Sequence, residues 1–143
     1  RIADEQLNLL DEEAAALAPA DPTTAGAVLA ELVAAKAPSP GNPVLRQAEP
    51  VLLRLAAAYL TTSRSDGRAI DPVAHFHLSN GAIVDQLNWW ANPSPAGWQR
   101  SLGIMVNYRY RLNAIERNHD RYLRDGEVVQ SDAIRRLLAR TGG

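Results

Sequence analysis

A chain of 143 residues, 46% hydrophobic and without cysteine, has the length for one domain around a single core and excludes disulfides and thiolate zinc sites. Its formal net charge of −1 and pI near 6.3 give no overall attraction to nucleic acid or to an anionic membrane. The charge is uneven, however: residues 1–50 hold eight acids and three bases, and residues 51–143 hold eight acids and twelve bases, all arginine, the side chain best suited to two-pronged capture of phosphate.

The first half reads as helices separated by proline. Leu7, Leu10, Ala14 and Leu17 recur at helical spacing, with Asp4 and Glu5 in the first turn. Asp21-Pro22 pairs an N-cap residue with proline at the first helical position, and opens a helix with Val28, Leu29, Leu32 and Val33 on one stripe. A loop follows from Ala37 to Pro43. Pro50 is expected to kink or restart a third helix whose apolar face is Leu52, Leu55, Ala56, Tyr59 and Leu60. Ser63 to Asp71 is the polar connection onward.

Next, Val73, His75 and His77 alternate with Ala74, Phe76 and Leu78, which predicts a strand with both histidines on one face. Asn80-Gly81 predicts a hairpin turn into a second strand, Ile83 to Trp90. Asn92 to Gly97 is a proline-containing turn. A long helix is predicted from about Gln99 through Leu102, Met105, Tyr108, Leu112 and Ile115, fading near Asp125-Gly126. Ser131 caps a last helix with Ile134, Leu137 and Leu138 inward. The fold class expected is α+β: N-terminal helices, a central β-hairpin and C-terminal helices.

Three features could carry chemistry. The histidine pair suits proton transfer near neutral pH; the other readings are plain structural hydrogen bonding, and a metal site, for which the pair lacks an accompanying cluster of carboxylate ligands. Arg100-Ser101-Leu102-Gly103 at the start of the long helix would present free backbone N–H groups and a positive dipole end to phosphate. Trp89, Trp90 and Trp98 flank the same region and are expected in the core or a pocket wall. On a helix Tyr108 and Tyr110 point to different faces, so at most one should reach the cavity of His77.

The residues resemble the C-terminal part of malonyl-CoA decarboxylases. The match runs through Pro72-Val73-Ala74, Phe76-His77-Leu78, Asn80-Gly81-Ala82, Leu87-Asn88-Trp89, Ser101, Gly103, Met105, Asn107, Tyr108 and Tyr110, in order and spacing, and continues in Asn118-His119, Tyr122, Gly126-Glu127-Val128-Val129 and Ser131. It is specific from about Asp71 to Ser131 and looser before that.

The resemblance implies a catalytic domain similar to the GCN5-related acetyltransferase (GNAT) fold, in which malonyl-CoA becomes acetyl-CoA and carbon dioxide. Residues 1–143 would be the C-terminal portion of that domain, 1–65 mainly helical and 71–143 carrying the CoA-binding and catalytic-histidine region. His77 takes the place of the catalytic histidine, and His75 falls where the family varies. Asn80, Arg100, Ser101, Gly103 and Tyr110 fall at substrate- or CoA-binding positions. No metal and no separate cofactor are implied, since the CoA thioester is the substrate.

Family enzymes pair the histidine with a serine well upstream, and Ser63, Ser65 and Ser79 do not stand in its context. With Arg1 in place of Met at the start, the chain is expected to be a piece of a longer enzyme, to be completed by another chain, or to be an inactive copy. The partners expected are malonyl-CoA, the missing N-terminal part and further copies of the chain, with no nucleic acid and no membrane. No run reaches transmembrane length and no signal peptide is visible, so cytoplasmic location is the expectation. A GNAT-type acyltransferase, or a fragment that only packs on partner chains, are the alternative functions.

Overall fold

The computed structural model describes residues 9–34, 42–64, 66–92 and 94–139. The expected first turn at Asp4 and Glu5, Leu7, the loop residues Ala37 to Gly41, Ser65, Pro93 and the last four residues lie outside those described. The chain divides into two units, residues 1–55 with 89–105 and 140–143, and residues 56–88 with 106–139.

The first unit opens with α1 (Asp11–Leu17), a 3-10 turn (Pro22–Thr24), α2 (Ala25–Ala34) and the start of α3 (Pro43–Thr61). The Asp21-Pro22 signal holds: the Asp21 carboxylate accepts the Thr23 N–H at 3.2 Å. Ala25, Leu29 and Leu32 are buried on the expected stripe of α2. α3 runs through Pro50 as one helix and does not restart there, with Leu45, Ala48, Val51 and Leu52 buried. Those four recur at helical spacing on both sides of the proline, so burial of one continuous face offsets its missing hydrogen bond.

Charge is also buried in this unit. Glu13, 5% exposed, takes a two-pronged pair of hydrogen bonds from Arg54, at 2.9 Å to Nε and 2.8 Å to Nη2. It also accepts the Leu10 N–H at 2.9 Å, closing the first turn of α1. Such a pair is tolerable inside because both carboxylate oxygens are satisfied.

The second unit holds the end of α3, then α4 (Pro72–Ser79), β1 (Ile83–Asn88), most of β2 (Met105–Arg109), α6 (Ile115–Asp125) and α7 (Asp132–Leu138); α5 (Pro95–Ser101) lies between the strands in sequence and belongs to the first unit. Ala57, Leu60, Ala74, Leu78, Val84 and Ile134 form its buried centre. β1 and β2 make a two-stranded antiparallel sheet. Val84 bridges Gln130 in parallel on the other side of β1, where Val84 N–H donates to Val129 O and Ser131 N–H to Val84 O, both at 3.0 Å. The Ser131 hydroxyl caps α7 as expected, accepting the Ile134 N–H at 3.3 Å, and Ile134 is fully buried.

Helices and a small sheet coexist, as the α+β expectation has it, but two elements differ from it. Residues 73–78 are not a strand: Pro72–Ser79 is helix. Asp71 supplies an N-cap and Pro72 the first helical position, and Ala74 and Leu78, one turn apart, are the residues buried. Asn80-Gly81 is accordingly no hairpin turn. The predicted long helix from Gln99 is also absent; α5 ends at Ser101, β2 follows, and α6 begins only at Ile115. It starts early because Ser94-Pro95 repeats the cap-proline signal, with Ser94 Oγ accepting the Gly97 N–H at 3.0 Å. It stops where Leu102 and Gly103 take left-handed conformations, φ +57° and +72°. α6 ends at Gly126 as expected.

Candidate active site

The site begins with how α4 is held. At its start, Asp71 Oδ2 accepts the Ala74 N–H at 2.9 Å and Oδ1 accepts the Tyr59 hydroxyl at 3.1 Å. At its end, Asn80 closes the helix, its amide donating to Phe76 O at 2.9 Å and its backbone N–H to His77 O at 3.1 Å. The chain then turns so tightly that a Cβ on Gly81 would lie 2.4 Å from the carbonyl oxygen of Ile115. Buried Asn118 donates to Gly81 O at 3.3 Å, and His119 Nδ1–H donates to Ser79 O. The end of α4 is thereby clamped to α6 by two hydrogen bonds, at Ser79 and Gly81.

Because α4 is a helix, residues two apart diverge by roughly 200° around its axis, and the histidines separate. His75 Nδ1 meets the Tyr122 hydroxyl at 2.6 Å. Tyr122 is nearly fully buried, and its oxygen also accepts the Ala69 N–H at 2.8 Å. That pairing is structural. It corrects the expectation of two imidazoles on one face.

His77, half-buried in the last turn, has different company. Its Nδ1 lies 2.7 Å from the hydroxyl of Tyr110. Its ring stacks on Tyr108, with centroids 4.2 Å apart and planes inclined by 17°, and Phe76 meets it edge-on at 5.2 Å. Both tyrosines therefore reach His77, contrary to the expectation that at most one would. Tyr108 lies on β2 and Tyr110 follows it directly; in an extended chain residues two apart share a face.

The bond to Tyr110 organises the imidazole chemically. When Tyr110 donates, the neutral ring carries its proton on Nε2; when the ring is charged, Nδ1–H donates to the phenol oxygen and Nε2–H is the acidic proton. In both states Nε2, which has no partner among the described residues, carries a proton.

Tyr108 is bound differently. Its hydroxyl is buried with no hydrogen-bond partner among the described residues. Burial, then the charge of Asp71, push its ionisation far above that of a free phenol. It stays neutral wherever His77 works.

The other expected binding residues belong to the first unit. Arg100 and Ser101 sit in the last turn of α5, not the first, so the free N–H cradle expected there is replaced by carbonyls and the negative end of the dipole. Ser101 Oγ donates back to Gly97 O at 3.3 Å, and Gly103 receives the Asn92 N–H on its carbonyl at 3.1 Å. Trp98 is core, 1% exposed. Trp89 and Trp90, with Leu45, Arg46 and Glu49, line a groove of about 510 Å³. On α6, Arg117, Arg121 and Arg124 share a shallow groove with Glu116, Asp120 and Asp125, a mixed-sign surface and no phosphate patch.

Sequence reasoning missed Asn118, His119 and Asp71 as holders of α4. Asp71-Pro72 carried a visible signal; the clamp from α6 had none short of the fold.

An imidazole hydrogen-bonded to one phenol and stacked on another, at the end of a clamped helix on an α+β frame, is an arrangement chemically able to give or take a proton. The description of the malonyl-CoA decarboxylase C-terminal domain matches residues 2–142, and the chain belongs to that family. Malonyl-CoA decarboxylase, mitochondrial, from Rattus norvegicus is 43% identical over 88 residues, 62% of this chain and 18% of that protein; the Mus musculus protein of the same name gives the same values. Among solved structures, malonyl-CoA decarboxylase from Rhodopseudomonas palustris superposes with a TM-score of 0.73 at 34% identity, over 95% of this chain and 29% of that one. The Agrobacterium vitis enzyme gives 0.69 at 33%, over 97% and 32%. The chain thus spans less than a third of the length of each of these four relatives, and no described helix is long and apolar enough to cross a membrane.

Proposed function

We propose that this chain carries the proton-handling part of a malonyl-CoA decarboxylase, with His77 as its acid–base residue. The observation that supports this most is the 2.7 Å contact between His77 Nδ1 and the Tyr110 hydroxyl, which frees Nε2 for a substrate. Decarboxylation breaks the bond between the α-carbon and the carboxylate, and leaves its electron pair on the thioester as an enolate. A proton must then reach the α-carbon to give acetyl-CoA.

A charged His77 suits both steps. Its positive charge lowers the energy of the developing enolate. Nε2 then gives up its proton to the α-carbon, and the ring returns to the neutral Nδ1–H form with its bond to Tyr110 intact. Solvent restores the proton. For the CoA diphosphate, exposed Arg100 supplies charge beside the tight turn at Gly103, with the guanidinium and not a helix dipole as the source of attraction. Asn80 serves through the shape of the turn after α4, since its amide already closes that helix.

The test is to incubate the full-length protein with malonyl-CoA, with and without an amine acceptor, and to follow carbon dioxide and acetyl-CoA. Equal release of both, indifferent to the amine, is expected. Acyl transfer to the amine without carbon dioxide would make the protein an acyltransferase, and no consumption of malonyl-CoA would make it a non-catalytic member of the family.

A further inference from the structure

The second phenol beside His77 is not explained by proton transfer. A hydrogen bond to Nδ1 tolerates a range of distances and angles, and so constrains the plane of the imidazole only loosely. A parallel stack fixes the plane. Tyr108 supplies it, at 4.2 Å and 17°, and the electron-rich face of a phenol attracts a charged imidazole more than a neutral one. The stack is also dear in another way: the Tyr108 hydroxyl is buried without a partner among the described residues, in a unit where the neighbouring hydroxyls of Tyr59, Tyr110 and Tyr122 are all bonded. A buried orphan of this kind marks a place where ring position outweighs polar satisfaction.

We propose that Tyr108 is a positioning residue, which sets the plane of the His77 ring and so the direction in which Nε2 delivers its proton. It acts through His77 and needs no contact with substrate. The inference rests on the decarboxylase reading above.

The experiment compares Tyr108→Phe, Tyr108→Leu and Tyr108→Met in the full-length protein, with histidine carbon labelling for NMR and with malonyl-CoA kinetics below each variant's melting temperature. In the parent protein the His77 ring protons should be shifted upfield by the face of Tyr108, and absence of that shift would overturn the proposal whatever the variants do. Tyr108→Phe should keep the shift and most of the turnover. Tyr108→Leu and Tyr108→Met should lose the shift, with kcat down by about tenfold or more and KM little changed, as expected of a misdirected catalytic group. A Phe variant as poor as Leu would overturn the proposal, because the hydroxyl would then carry the effect. Full turnover by His77→Ala would overturn the reading on which the inference rests; turnover lost in His77→Ala but kept in Tyr108→Leu would overturn the inference alone.

Discussion

Tyr110 and His77, thirty-three positions apart, meet through a 2.7 Å contact between phenol oxygen and Nδ1. Removing that hydroxyl while keeping the ring leaves Nδ1 without the partner that holds the imidazole in place. Tyr110→Phe is therefore expected to lower kcat by about tenfold to a hundredfold, toward the lower end of what a whole acid–base group contributes, with little change in KM. Steady-state kinetics with malonyl-CoA check it.

Gly81 lets α4 end against α6. Its φ of +89° disfavours any side chain, and a Cβ would lie 2.4 Å from Ile115 O and 2.8 Å from the Ile115 side chain. Strain of both kinds adds, so Gly81→Ala should cost about 2 kcal/mol or more. Urea unfolding measures it. The same variant should lower turnover, because the clamp on the last turn carrying His77 is displaced.

Tyr108 makes stability fall on the alkaline side. Its folded-state ionisation is raised well above the ordinary value of 10.0 by burial and by Asp71. The unfolded chain therefore ionises first: the contribution is fully present below pH 10 and is lost as pH rises toward the folded value. Tyr108→Phe has no such proton to lose. Thermal melts from pH 8 upward should show the parent losing more stability than the variant above about pH 10.

The Glu13–Arg54 pair tests the first unit. Glu13→Ala removes the buried, two-pronged partner of half-buried Arg54 and opens the α1 first turn at Leu10. Loss of one partner from a buried pair typically costs about 3 to 5 kcal/mol. Chemical denaturation reads it directly, and an effect under about 1 kcal/mol would place the pair among surface bridges instead.

The caps and β1 were the legible parts of this sequence, the strand expected from Ile83 running to Asn88, and β2 was not. Asp21-Pro22 and Ser131 mark helix starts, and Gly126 a helix end, from residue type alone. Asp71-Pro72 and Ser94-Pro95 carry the same signal, yet the alternation of Val73, His75 and His77 favours a strand on paper. Burial decides for helix, since Ala74 and Leu78 are the positions the core takes. β2 gives the opposite lesson. Val106-Asn107-Tyr108-Arg109-Tyr110-Arg111 alternates apolar and polar residues, but Leu102, Met105 and Tyr108 also fit a helical stripe, and the strand form is settled by pairing with β1. That one misreading hid the feature that matters most, because Tyr108 and Tyr110 converge on His77 only in an extended chain. His77 was singled out by family resemblance; the tyrosines that meet it needed the fold.

Turnover of malonyl-CoA by His77→Ala in the full-length protein, beside a His77→Gln control that keeps a polar side chain, tests the central assignment most directly. If His77 delivers the proton, both variants fold, bind CoA and lose about a hundredfold or more in kcat. An alanine variant that releases carbon dioxide at the parent's rate would show that the proton comes from another group.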